Sequence, residues 1–253
     1  MKPSRLTMVC LLGASLLPLA AHADTKHYCT TPVAMAVAKS AGIRYERVDA
    51  ATCKSAPDDP GRTLAALAYP ANQEGVKKLV VAVVDGSTTR VVRHYQVDVT
   101  EDSALMVGAD SLSLDTAPYR LAPGVRAFAL RFRSDARGAS CADGIWRDEL
   151  TLFVPDGAGL RPVLQGLAMS RSWARKGCFG NGGETLVYDE ATLSIALAPT
   201  STNGYADLEV SATIRRNGEG TATVERVMLR YDGAEYEIGG KTPWWFVAMP
   251  LGQ

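Results

Sequence analysis

Short apolar segments with a period of two residues, separated by turn-forming dipeptides, dominate this sequence after residue 60. Alternation of apolar and polar side chains is typical of β-strands with one buried face. Asp85-Gly86, Asn217-Gly218 and Asp232-Gly233 are turn signals, because such dipeptides adopt the backbone conformations of tight hairpins. The pattern predicts strands over residues 63–69, 79–84, 90–99, 112–121, 125–132, 149–154, 160–164, 192–197, 206–214, 224–230 and 235–238.

A single helix is predicted ahead of these strands. Thr31-Pro32 suits a helix start, with Thr31 as N-cap and proline at the first helical position, and apolar residues recur at helical spacing up to Gly42. We therefore predict an all-β fold with one short N-terminal helix.

Three segments share an arrangement of strand, turn and strand, and two of them align closely. The segment that starts at Ser111 matches the one that starts at Thr192, and both continue into a strand that ends in Asp-Gly. This favours repeat units over 61–99, 111–165 and 192–238, each antiparallel and four-stranded, stacked like propeller blades or β-sandwich sheets. A simple meander of hairpins, which gives similar spacing, is the alternative.

The stretch NGYADLEVSATI, residues 203–214, resembles the FG-GAP or VCBS type of β-propeller repeat. Gly204, Asp207 and Leu208 match that family's Gly-x-x-Asp-Leu turn. The family's calcium loop, rich in alternating Asp and Asn, is replaced here by Pro-Thr-Ser-Thr at 199–202. The resemblance therefore implies a propeller-like repeat without a calcium ion.

The N-terminus has the pattern of a secretory signal peptide. Lys2 and Arg5 precede an apolar run at 9–19, and Ala21-His22-Ala23 is a cleavage site of the small-x-small type. Cys10 lies inside the apolar run and not at its end, which argues against lipidation. We predict a signal peptide over 1–23 and a mature domain over 24–253, located in the periplasm or secreted.

Four cysteines remain after this cleavage: Cys29, Cys53, Cys141 and Cys178. An even number in an exported chain favours two disulfides, for which three pairings exist. The shorter loops favour Cys29 with Cys53 and Cys141 with Cys178, because closing a shorter loop costs less entropy. Zinc is the rival interpretation, but the sequence has no CxxC pair.

Charge and composition exclude several classes of partner. Loss of residues 1–23 removes Lys2 and Arg5, which leaves about two more acidic than basic side chains. Such a balance gives no electrostatic reason to bind nucleic acid or an anionic membrane. No apolar run after the signal is long enough to span a bilayer. We expect no metal and no cofactor.

Catalytic patterns are weak. His94 is the best mature candidate for a general base, but no GxSxG nucleophile elbow accompanies it. Adjacent carboxylates occur at Asp58-Asp59, Glu101-Asp102, Asp148-Glu149 and Asp189-Glu190, and neighbours along a strand point to opposite faces. The sequence assigns no catalytic residue.

A basic and aromatic segment is the best candidate for binding. Arg171, Trp173, Arg175 and Lys176 lie in a predicted loop over 166–184, between the second and third units. Tryptophan flanked by arginine is typical of binding hot spots, although Trp173 packed beneath its own loop is the alternative. Trp244-Trp245-Phe246 favours a terminal strand that closes the core over a sugar-stacking platform.

These features support two hypotheses of function. The first is a noncatalytic periplasmic binding or inhibitory module, similar in physical profile to an immunity protein, that recognises a protein or cell-envelope ligand. The alternative is a hydrolase that cleaves cell-wall polymer through a carboxylate pair.

Overall fold

The computed structural model describes residues 29–180, 185–217 and 219–250. In these ranges the protein is mainly β-sheet with one α-helix, which confirms the predicted fold class. The helix α1 spans Thr31–Ser40, and a 3₁₀ turn follows at Tyr45–Arg47. The strands are β1 (Ala50–Ala56), β2 (Asp59–Pro70), β3 (Val76–Asp85), β4 (Arg90–Thr100), β5 (Leu112–Asp115), β6 (Arg120–Ala122), β7 (Val125–Arg126), β8 (Phe128–Phe132), β9 (Gly144–Asp156), β10 (Gly159–Lys176), β11 (Val187–Thr202), β12 (Tyr205–Arg216), β13 (Ala222–Tyr231) and β14 (Tyr236–Ile238).

Helix α1 begins one residue earlier than predicted. Thr30 is the N-cap and Thr31 is already helical, while Pro32 lies in the first turn, where its missing N–H has no intrahelical partner to lose. Gly42, with a φ of +72°, takes the chain out of the helix, because glycine enters the left-handed region without steric cost.

Twelve strands belong to one hydrogen-bonded network. Strands β1 to β4 form an antiparallel meander, and β10 to β14 form another. The two meanders meet at a single parallel bridge between Gly159 and His94. Strands β5, β8 and β9 join the network through the pairing of β9 with β10. The strands are thus not divided into separate four-stranded sheets within the described residues, and the internal duplication stays a prediction.

Strands β2 and β3 are buried on both faces. Leu64 and Val81 point into a core shared with β5 and β8, whereas Leu67 and Val80 pack against α1. Burial on both faces explains why these strands are nearly continuous apolar runs and do not alternate with polar residues.

Strands β8 and β9 separate two hydrophobic cores, because their two faces pack into different ones. Phe153 faces the core lined by β2 and β3, while Leu152 and Val154 face a second core enclosed by β10 to β14. Trp245, which is fully buried, completes the second core. The C-terminal segment 243–250 therefore contributes to the core, but it contacts β10 through one isolated bridge and is not the terminal strand expected from the sequence.

Both predicted cysteine pairs are at disulfide distance. Cys29 is bonded to Cys53, which ties the start of α1 to β1. Cys141 is bonded to Cys178, which ties the segment before β9 to the segment after β10. The signal peptide and its cleavage site lie outside the described residues.

Candidate functional site

The basic and aromatic segment lies on a strand, contrary to the predicted loop over 166–184. Residues up to Lys176 belong to β10, which runs for 18 residues, and residues 181–184 lie outside the described ranges. Because side chains alternate along a strand, Arg171 and Trp173 share one face. Arg175, at a register shift of β10, reaches Asp189, which lies opposite Trp173 on β11. Lys176, at the exposed end of β10, lies beyond a register shift between Ala174 and Lys176.

Arg171 occupies an unusual environment for a cation. Its Cζ lies 5.3 Å from the centre of the Trp173 ring and 6.0 Å from that of Trp244. Its Nε is buried without a hydrogen-bond partner. Within the described residues Arg171 belongs to no ion pair, and burial lowers the pKa of its guanidinium. The two rings compensate part of this desolvation, because cation–π contacts contribute about 0.5–2 kcal/mol.

A third tryptophan, Trp146, lies beside Arg171 on the neighbouring strand β9. Trp146 on β9 is directly opposite Arg171 and is 37% exposed, while Trp173 is 38% exposed. All four tryptophans of the sequence are in this region, since Trp244 and Trp245 follow on the C-terminal segment. We call Trp146, Arg171, Trp173 and Trp244 the tryptophan–arginine surface.

Trp173 combines a packing contact with exposure. Its ring lies against Gly144, where an added β-carbon would be 3.0 Å from the ring atom Cε3. A side chain at position 144 would displace the ring, so glycine there permits the close approach of β9 and the indole. The packing surface is the neighbouring strand, and more than a third of the side chain remains available to a partner.

Arg175 has a structural role. Its Nε is 2.7 Å from Asp189, and the Nε of Arg216 is 3.0 Å from the other oxygen of the same carboxylate. Burial acts to raise the pKa of Asp189, but the hydrogen bonds from the two arginines outweigh it and the pKa is lowered. Glu219 accepts a second contact from Arg216 at 3.2 Å. The predicted binding role of Arg175 thus competes with an ion pair that holds β10, β11 and β12 together.

The C-terminal segment positions Trp244. The indole N–H of Trp245 donates to Glu225 at 2.6 Å, and the Ala168 N–H donates to the Val247 carbonyl at 2.8 Å. Truncation of a buried tryptophan typically costs 3–5 kcal/mol, so Trp245 is a strong anchor. Trp244, the preceding residue, is thereby fixed near Arg171. The Trp-Trp-Phe run is the one sequence signal for this contact, and it does not indicate the partner.

The disulfide Cys141–Cys178 joins two segments that lie near Trp173. Ala142 and Phe179 exchange backbone hydrogen bonds of 3.1 and 2.9 Å, and the Phe179 ring lies 5.4 Å from that of Tyr188 on β11. Ala174 donates to the Asp143 carbonyl at 2.8 Å. These contacts hold the segments that precede β9 and follow β10 together beside Trp173.

The carboxylates that the sequence offered for hydrolysis are mostly engaged elsewhere. Asp58 pairs with Arg120 and Arg126, and Asp148 forms a two-point ion pair with Arg131. Asp102 accepts backbone N–H groups in a turn, and Asp59 does the same for Gly61. His94 is exposed on β4.

Glu149 differs from the other carboxylates. It is 8% exposed, and burial raises its pKa to about 7. A hydrogen bond with the Trp146 side chain acts to lower the pKa but is outweighed by burial. Its neighbour Asp148 has a φ of +64°, a backbone conformation that is costly for a residue other than glycine. A charged residue at the start of the apolar segment 149–154 was the signal in the sequence.

Comparison with protein-family models, curated proteins and solved structures finds no match for this chain. The resemblance of residues 203–214 to FG-GAP or VCBS repeats stays a prediction; in the structure Asn203 and Gly204 form the turn into β12. Among the described residues no helix has the length and apolar character to cross a membrane. In the same ranges no three His, Cys, Asp or Glu side chains are grouped for a metal ion.

Proposed function

We propose that this chain is a noncatalytic binding or inhibitory module that recognises a protein or cell-envelope ligand through the tryptophan–arginine surface. The observation that carries the proposal is Arg171, a half-buried cation between two indole rings without an ion-pair partner in the described ranges. Partial removal of a cation from water costs free energy when no anion pairs with it. An anionic ligand bound at Arg171 would offset this cost.

The residue types at the surface support the proposal. Tryptophan and arginine dominate the binding energy of protein interfaces, and they act best when rigid neighbours hold them in place. Here Trp173 packs on Gly144, and Trp244 is fixed by its buried neighbour Trp245. A pre-arranged surface loses little entropy when a partner binds.

The periplasm is the proposed location. The signal-like N-terminus favours export, and two disulfides suit an oxidising compartment. An extracellular destination after further secretion is compatible with the same features.

A purified partner provides the test. The mature protein is used as bait in periplasmic extract, the captured partner is purified, and its affinity is measured for the parent, Trp146→Ala and Trp173→Ala. We expect each variant to lose about 2 kcal/mol of binding free energy with a small change in melting temperature. A one-to-one partner whose affinity neither variant alters would contradict the proposal.

Glu149 supports the alternative function, a hydrolase of cell-wall polymer. A buried carboxylic acid whose pKa is raised to about 7 suits the general-acid role in glycoside hydrolysis. Turnover of purified peptidoglycan by the parent, abolished in Glu149→Gln, would favour the hydrolase. No turnover by the parent would exclude it.

A further inference from the structure

The ion pairs next to the tryptophan–arginine surface do not include Arg171. Asp189 accepts from Arg175 and Arg216, and Glu219 accepts from Arg216. These groups form a closed set of two arginines and two carboxylates. Arg171 is outside this set. Arg171 therefore has no anionic partner among the described residues, and a ligand could supply one.

The environment of the guanidinium restricts how an anion can reach it. Trp173 and Trp244 lie over the group, and Nε is the one Arg171 nitrogen that is both buried and without a hydrogen-bond partner among the described residues. A ligand must therefore approach the terminal nitrogens. Two parallel N–H groups of a planar guanidinium match the two oxygens of a carboxylate.

We infer that Arg171 is the receptor for a carboxylate carried by an acidic segment of a partner polypeptide, which the exposed indoles of Trp146 and Trp173 flank. The inference rests on the proposed function and names the chemistry of its ligand. The apolar stem of a glutamate side chain would pack on the indoles while its carboxylate forms the two-point contact with Arg171.

A phosphate group fits this place less well. At neutral pH a phosphate monoester carries close to two negative charges and three acceptor oxygens, which several cations usually share. Arg175 and Arg216 are already paired with Asp189 and Glu219, so neither is free to share a dianion at Arg171.

The experiment uses the oxidised mature protein and four probes at constant ionic strength. The probes are a blocked peptide with three consecutive glutamates, the same peptide with glutamines, sodium acetate and inorganic phosphate. Binding is followed by tryptophan fluorescence and by the NMR shifts of the indole N–H groups. The variants are Arg171→Gln, Arg171→Lys and the matched control Arg161→Gln. Arg161 also lies over an aromatic ring, Tyr231 at 5.9 Å, but it already donates to the Tyr231 hydroxyl at 2.9 Å.

We expect the parent to bind the glutamate peptide about tenfold more tightly than the glutamine peptide. Arg171→Gln should lose about tenfold in affinity and Arg171→Lys roughly threefold, because an ammonium group lacks the planar fork. Arg161→Gln should stay within about twofold of the parent. Thermal unfolding of each variant checks that it is folded.

Three results of this binding experiment would overturn the inference. They are equal affinity of the parent for the two peptides, phosphate binding as tight as that of the glutamate peptide, and a folded Arg171→Gln that binds like the parent. A captured partner that depends on Trp146 and Trp173 but not on Arg171 would refute this inference alone. Peptidoglycan turnover that needs Glu149 would instead refute the proposed function.

Discussion

The backbones of Gly166 and Met249 are in direct contact: the Met249 N–H donates to the Gly166 carbonyl at 3.1 Å, and a β-carbon on Gly166 would lie 2.5 Å from the Met249 carbonyl carbon. Gly166, with a φ of +59°, lies where the register of β10 shifts, and its N–H donates to the Thr151 hydroxyl at 3.0 Å. This contact fixes the C-terminal segment on β10 and, through it, Trp245 in the core.

Gly166→Ala should therefore destabilise the protein by about 3 kcal/mol or more, because the added methyl group cannot coexist with the Met249 backbone. Gly204→Ala is the matched control, since Gly204 also has a positive φ, of +87°, but nothing within 4 Å of an added β-carbon. The control should lose only about 1 kcal/mol from backbone strain. Urea unfolding measures both, and equal losses would show that the Met249 contact is unimportant.

Glu149 should make the free energy of unfolding fall between about pH 4.5 and pH 7. Its ordinary pKa is 4.5, and burial raises the pKa to about 7, so the folded protein holds a proton that the unfolded chain releases in this window. Stability contributed by a raised pKa is present at low pH and is lost as the pH rises, by about 3 kcal/mol in total. Glu149→Gln should remove this decline relative to the parent. The exposed Glu237→Gln is the control, and a Glu149→Gln profile parallel to that of the parent would disprove the effect.

Asp189→Asn should cost about 2 kcal/mol, because a 5% exposed carboxylate that binds two arginines becomes neutral. The loss is below that of a fully buried pair, since the arginines are about half exposed and gain water. The lowered pKa means that this stabilisation is present above the ordinary range of aspartate and is lost on acidification. Asp156→Asn, which removes an exposed pair with Arg161 at 3.6 Å, should change stability by less than about 0.5 kcal/mol. Thermal unfolding at pH 7 compares the two variants.

Removing either disulfide should destabilise the protein by roughly 3 to 4 kcal/mol, since each cross-link limits the unfolded chain. The sequence separations are 24 and 37 residues, so replacement of Cys141 and Cys178 by alanine should cost slightly more than replacement of Cys29 and Cys53. Nonreducing peptide mapping of the parent tests the pairing first. Crossed peptides or four free thiols would contradict it.

Export should yield a protein that starts at Asp24 and is released by osmotic shock. The small-x-small pattern at Ala21-His22-Ala23 gives this cleavage site. Intact-mass analysis measures the start directly. An acyl mass on Cys10, retained in the membrane fraction, would refute the assignment.

Local signals made the helix and the disulfides predictable from sequence. Pro32 and Gly42 mark the ends of α1 within a few residues, and an even cysteine count with short loops restricts the pairing. The predicted loop over 166–184 is wrong, because the second half of β10 occupies residues up to Lys176. Gly166 resembles a turn residue, yet it forms a bulge that lets the strand continue with polar and charged side chains.

The contact of Arg171 with Trp244 could not be predicted, because it joins two segments far apart in the chain. The contact depends on the packing of Trp245 in the core, which places the C-terminal segment. No local sequence pattern predicts that packing. Glu149 is similar: its burial follows from strands β8 and β10 on either side of β9 and not from its sequence neighbours.

The position of β9 between two cores affects how strongly its register is specified during folding. Successive residues of this strand serve different cores, so a slip of one position would exchange the occupants of both cores at once. Phe153 would then crowd the space shaped for Leu152 and Val154, while a smaller side chain would leave a void opposite Phe128. A misaligned β9 would therefore lose packing free energy in both cores. We expect the correct register of β9 to be favoured by a larger free-energy difference than that of any strand with one solvent-exposed face.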